Sequence, residues 1–360
     1  MDPYEPKFIK NVRQNITLIS LGVIVLFVLL KVVGFKEVFR TIGMINPVFI
    51  LLTICVFPVS IFLFTFKVYF LSRTLPIKKI SIGKYALIHL SGVLFNNLTP
   101  GPSVGGEPLK AYYLEKATGT RGSVCFGLYA MDSLVFLVTT FIFMTFSTLY
   151  LIFSISIPKL KYILLIWFAI FVISAIVVLF VVFKLSKQKK RFEKLLVWLY
   201  NFSLLKILRK HFKSSTIFVK AVRSKRKAFM ETLSHLWKDK TALWLVFSLG
   251  FIWYLLQGLG LWFLFRGMGY AIPFLRLVAV MTVGLSIGYL VFVPGGTGAT
   301  EGSIVLIMSL LGVPASIITA VILVNRFAYY VMAYLVGYLA LSYLSMMYVA
   351  PGKMINFLNK

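Results

Sequence analysis

Three carboxylates stand in apolar sequence, where a charge is expensive: Glu107, Asp132 and Glu301. An ionised group at bilayer depth costs at least ~2.5 kcal/mol on insertion scales, so such groups face a cavity or a partner. There they can hold a cationic or sugar group, relay a proton, or pair with a base. Two of them end related motifs. Pro100-Gly101-Pro102-Ser103-Val104-Gly105-Gly106-Glu107 and Pro294-Gly295-Gly296-Thr297-Gly298-Ala299-Thr300-Glu301 lie 194 positions apart, and the same 194 separates Asp132 from Arg326. If the two halves pack face to face, Asp132 and Arg326 are placed to form an ion pair, functional or merely structural. Lys110, three residues beyond Glu107, is placed to pair with it or to meet a phosphate.

Proline and glycine inside apolar segments interrupt the backbone ladder. The breaking residues are Pro100, Gly101, Gly105 and Gly106 in the first copy and Pro294, Gly295, Gly296 and Gly298 in the second. Freed N–H and C=O groups are tolerated at membrane depth only when buried in protein or lining a wet cavity. Asn96, Asn97 and Thr99 stand ready to satisfy them. A half-helix starting after such a break points its positive end inward, where it suits an anion such as a phosphate. The glutamates also suit simple capping. Glu107 precedes Pro108, a favoured first helical residue, and Glu301 follows Thr300, a good cap.

The elements that position these residues are membrane elements. Sixty per cent of the 360 residues are hydrophobic and 13% charged, and apolar runs of about 20 residues, the length of a bilayer crossing, recur. Full spans are expected near 15–33, 47–71, 123–153, 161–183, 241–265 and 315–348, the first an anchor without a cleavage site. The 123–153 and 315–348 runs exceed a bilayer thickness and must tilt, kink or project. Two interrupted regions, 81–119 and 274–312, carry the motifs.

Charge sets the orientation. Residues 184–240 hold 17 Lys+Arg against 3 acidic residues, which makes this segment cytoplasmic. The N-terminus, the 72–84 loop, 110–122 and the C-terminus then fall on the same side, and the 34–46 and 266–276 loops outside. The scheme closes only if 81–119 enters and leaves from the cytoplasm and 274–312 from outside. The expected fold is therefore an all-α polytopic membrane domain over 1–360. It has about six full spans and two oppositely oriented re-entrant hairpins, in inverted repeats over 47–153 and 241–348. That is a transporter architecture. Within 184–240, Phe192, Leu195, Leu196, Leu199 and Phe202 share a helical face, as in an amphipathic helix on the anionic inner leaflet.

Several classes drop out. Orientation and lipid attraction account for the basic charge, so nucleic acid is not an expected partner. No Walker loop, nucleophile elbow or paired Cys/His ligand set occurs, so neither an enzyme, a metal nor a cofactor is expected. Cys55 and Cys125 read as buried inert thiols. His89 reads as a core histidine, with proton shuttling as the alternative.

Asn97-Leu98-Thr99-Pro100-Gly101, Gly105-Gly106-Glu107-Pro108-Leu109-Lys110-Ala111-Tyr112, and Val293 through Gly302 followed by Arg326 together resemble the motifs of the lysylphosphatidylglycerol synthase/flippase transmembrane family. The resemblance covers nearly the whole chain and implies a flippase-like fold in which paired re-entrant hairpins form a lipid-headgroup cavity. Lys110 stands where many relatives carry Arg, and Ser133 where Arg is expected after the acidic residue. No aminoacyltransferase domain follows in this sequence.

The expected activity is movement of a phospholipid or polyprenyl-linked lipid between leaflets of the plasma membrane. Asn97, Glu107, Lys110, Asp132, Glu301 and Arg326 would be the substrate-binding residues. Two alternatives share this sequence. One is a non-transporting subunit that presents a lipid-linked substrate to a separate glycosyltransferase; the other is a small-solute transporter.

Overall fold

The computed structural model describes residues 35–98, 106–187, 197, 214–290 and 298–348, and every regular element among them is an α-helix. In chain order these are α1 (Phe35–Ile42), α2 (Pro47–Ser72), α3 (Ile82–Leu98), α4 (Gly106–Thr118), α5 (Gly122–Ser154), α6 (Pro158–Lys187), α7 (Ser215–Lys238), α8 (Lys240–Gly267), α9 (Phe274–Leu290), α10 (Ala299–Leu310) and α11 (Ala315–Tyr348). Among the described residues, α2, α5, α8 and α11 are long and apolar enough to cross a membrane. The 161–183 run lies within α6, a 30-residue helix. The 15–33 run, the amphipathic stretch around Phe192–Phe202 and both Pro-Gly loops lie outside the described residues. The 34–46 segment, expected as a loop, contains α1, which packs on α11.

Local signals set the helix ends. Asn46 Oδ1 accepts from Val48 N at 3.0 Å with Pro47 at the first helical position, and Asp239 Oδ1 accepts from Ala242 N at 2.9 Å. At 33 and 34 residues, α5 and α11 extend about 50 Å each. The four helices α3, α4, α9 and α10 run 17, 13, 17 and 12 residues, short of the ~20 needed for a crossing.

The order α2–α3–α4–α5 recurs as α8–α9–α10–α11. Helix starts at 47, 82, 106 and 122 match starts at 240, 274, 299 and 315, an offset of 192 or 193 throughout. The packing recurs too. α2 packs on α3 as α8 does on α9, α4 on α5 as α10 does on α11, and α3 on α11 as α9 does on α5. The counterparts α2 and α8 pack against each other. Thr53 Oγ1 reaches both Phe49 O (2.8 Å) and Gly260 O (3.1 Å) there, and Gly260 and Gly267 let the backbones approach.

Two apolar cores lie at opposite ends of the bundle. One joins Val68 and Leu71 of α2, Tyr85 and Ile88 of α3, Leu109 and Leu114 of α4, Cys125 and Leu128 of α5, Ala242 of α8 and Leu344 of α11. The other joins Leu151 of α5, Leu261 and Phe265 of α8, Leu277 and Val280 of α9, Ile304 and Met308 of α10, and Ile318 of α11. Each long helix thus runs from one core to the other. The first short pair is rooted in one core and the second in the opposite one.

Where α3 crosses α11, a Cβ on Gly337 would stand 3.0 Å from both Leu90 O and Leu94 Cβ. The backbone of α3 cannot yield there without repacking. Gly337→Leu is expected to lower stability by about 1–3 kcal/mol, read as a lower melting temperature in detergent.

Candidate functional site

All three carboxylates singled out above are engaged by cations. Lys67 Nζ stands 2.7 Å from Asp132 Oδ1, Lys110 Nζ stands 2.9 Å from Glu107 Oε1, and Arg326 Nε contacts Glu301 Oε1. Asp132 and Arg326 therefore do not pair with each other; each closes its charge within its own half. The reason lies in the repeat. Positions 132 and 326 are equivalent but carry opposite charges, whereas 107 and 301 are both glutamate. In the second half Arg326 of α11 neutralises Glu301 of α10. In the first half Asp132 only adds negative charge, and two further cations, Lys67 and Lys110, restore balance.

Glu301 is 1% exposed and works with both oxygens. Oε2 accepts from Gly298 N at 2.6 Å, capping α10 while Oε1 meets Arg326. The N-cap is Gly298, at φ +88°, and not Thr300. A side chain would be strained in that left-handed conformation, so glycine makes the turn into α10 there. Thr300 Oγ1 is buried without a hydrogen-bond partner among the described residues.

The first site is assembled differently. Asn96 Oδ1 accepts from Gly106 N at 2.7 Å, so an asparagine before the break caps the helix after it. Glu107 is thereby left to Lys110, one turn along the same helix. The alkyl stem of Lys110 lies over Gly92 of α3, so closely that a Cβ there would collide with Lys110 Cδ at 2.9 Å. Gly92→Ala is expected to push Lys110 off Glu107 and lower the melting temperature in detergent, with overall helicity retained by circular dichroism.

Asn97 is buried at the end of α3. It donates to Val93 O at 3.1 Å and is hydrogen-bonded to Tyr329 of α11, one turn beyond Arg326. This ties the first short pair to the helix bearing the second site's cation. His89 is buried, stacks on Phe64 at 5.2 Å, and lies within electrostatic reach of both Lys67 and Lys110. Cys125 is buried as expected, but Cys55 is exposed on α2. Pro100, Gly101, Gly105, Pro294, Gly295 and Gly296 lie outside the described residues.

Lys67 is the site residue that sequence reasoning missed. Its signal was available, for it is the only charged residue in the 26-residue helix α2. A lysine near the end of a span is ordinarily explained by snorkelling to the interface, and Lys67 lies five residues from the end of α2. Here it turns inward and is 1% exposed.

Long apolar helices, short paired helices between them and buried ion pairs define a multi-pass helical membrane protein. The chain belongs to the family described as the lysylphosphatidylglycerol synthase TM region, which matches residues 16–337. It is 26% identical to a UPF0104 membrane protein of Methanothermobacter thermautotrophicus, over 92% of this chain and 96% of that protein. It is also 26% identical to the UPF0104 membrane protein MJ1595 of Methanocaldococcus jannaschii, over 92% and 95%, and 24% identical to PH1989 of Pyrococcus horikoshii, over 86% and 91%.

Proposed function

We propose that this protein moves a phospholipid or polyprenyl-linked lipid between the leaflets of the plasma membrane. The observation that carries the reading is the rooting of two short helix pairs in opposite cores, each pair with an ion-paired glutamate at the start of its second helix, half-buried at Glu107 and buried at Glu301. In a bilayer, such pairs read as oppositely oriented re-entrant hairpins whose broken tips meet near the midplane, in inverted repeats over 47–153 and 241–348. The headgroup passes between the tips while the acyl chains stay in the lipid. Lys110 and Arg326 meet the phosphate, and Glu107, Asp132 and Glu301 take the cationic or sugar part or relay a proton. Asn97 orders the tip of the first hairpin.

The orientation reading draws support from contacts that gather basic segments at one end. His235 Nε2 meets Thr74 O at 2.8 Å, Phe229 packs on Phe126, and the Tyr113 and Ser345 hydroxyls are 2.8 Å apart. With 184–240 cytoplasmic by charge, the 72–84 loop, the start of α5 and the end of α11 share that side, and both chain termini are assigned to it.

The test is leaflet scrambling of labelled phospholipid and polyprenyl phosphate by the purified protein in liposomes, with and without a pH gradient. Wild type is expected to scramble, and the Glu107→Gln/Glu301→Gln variant to be at least tenfold slower, a barrier increase of about 1.4 kcal/mol. Folded wild-type protein that moves neither lipid would sink the reading. The non-transporting subunit serving a separate glycosyltransferase would then be preferred.

A further inference from the structure

Lys67 does more than balance a charge. Its Nζ lies 4.2 Å from the centroid of the Phe64 ring and 5.2 Å from that of Phe136, besides its 2.7 Å approach to Asp132. Trp253 of α8 closes the group, standing edge-on to Phe64 at 5.7 Å and to Phe136 at 5.3 Å. A carboxylate set among aromatic rings is the chemistry by which proteins take up ammonium groups. Here the ammonium already in place belongs to the protein.

Three observations separate this arrangement from an ordinary structural ion pair. Neither Lys67 Nζ nor Asp132 Oδ1 makes a well-aligned hydrogen bond among the described residues, so the contact is chiefly electrostatic. The repeat does without it, since at the 193-residue offset of α2 and α8 the positions equivalent to Phe64 and Lys67 are Gln257 and Gly260, neither aromatic nor charged. Finally, Leu63, Phe64, Lys67, Leu249 and Trp253 meet between α2 and α8 with no room left for a water molecule.

We propose that Asp132, Phe64, Phe136 and Trp253 form an ammonium-binding site that Lys67 occupies as a tethered ligand. A free alkylammonium or an amine-bearing lipid headgroup takes the same place once the tether is removed. The site shares Asp132 with the transport reading, but its test reads binding, so either can fail alone.

Full-length wild type, Lys67→Met and Lys67→Met/Asp132→Asn are melted in phosphatidylglycerol nanodiscs against increasing methylammonium chloride, with sodium chloride at equal ionic strength as control. Lys67→Met is expected to melt below wild type and to be restored saturably by methylammonium, while wild type and the double variant do not respond. Repeating the melts in nanodiscs containing phosphatidylethanolamine identifies the source. Rescue by methylammonium alone assigns the site to free amines, and rescue by the lipid assigns it to headgroups. If Lys67→Met does not accumulate, Lys67→Ala purified in methylammonium and melted with and without it takes its place. No rescue by either amine, or equal rescue of the double variant, overturns the proposal.

Discussion

Asp132→Asn, with Lys67 left in place, is expected to lose about 3–5 kcal/mol of stability, because it strands an ammonium that is 1% exposed. The partner variant Lys67→Met strands the carboxylate instead and should lose a similar amount. Lys67→Met/Asp132→Asn should recover most of either loss, since an apolar stem and an amide fit the same space without a charge to desolvate. Unfolding of the four proteins in one detergent, closed as a double-mutant cycle, checks this. Additive losses would mean that Lys67 and Asp132 do not depend on each other, contrary to their 2.7 Å contact.

The second large effect is expected at Glu301, whose two oxygens have separable tasks. Glu301→Gln can keep a carbonyl oxygen facing Gly298 N and so retain the cap, while losing the charge that balances Arg326. Glu301→Ala loses both and should be less stable than Glu301→Gln by a further ~0.5–2 kcal/mol, the usual value of a helix cap. Both variants should slow lipid scrambling at least tenfold, about 1.4 kcal/mol in barrier, because both strand Arg326. Arg326→Met/Glu301→Gln should regain stability without regaining transport. That outcome would separate the role of the charges in the site from their role in the fold. Recovery of both would make the pair structural only.

The carboxylates were conspicuous in the sequence for a simple reason. An acidic residue in apolar sequence needs a cap, a cavity or a partner at membrane depth, whereas a lysine near a span end can snorkel to the interface, and this is why Lys67 went unnoticed beside Asp132. Asn96 was legible, together with Asn97 and Thr99, as able to satisfy groups freed at the break, and the structure gives the Gly106 N–H to Asn96. Thr300 was a reasonable cap by type, but the chain turns at Gly298 with a positive φ and gives that place to glycine. The 34–46 segment read as a loop because α1 is only eight residues long, and its helical conformation is supported by packing on α11.

By itself the sequence determined the membrane class, the lengths of the long helices and the duplicated motif. All three follow from local quantities: apolar content, the rise of a helix, and the proline and glycine that interrupt it. It also determined the opposite charges at positions 132 and 326. Which cation answers each carboxylate was decided only by the tertiary structure. Helical periodicity fixes the face on which a side chain lies, but not which distant helix meets that face. The α2–α5 approach brings Lys67 to Asp132, and the α10–α11 approach brings Arg326 to Glu301. The pairing across halves that the 194-residue spacing invited does not form, because each charge finds a nearer partner within its own repeat.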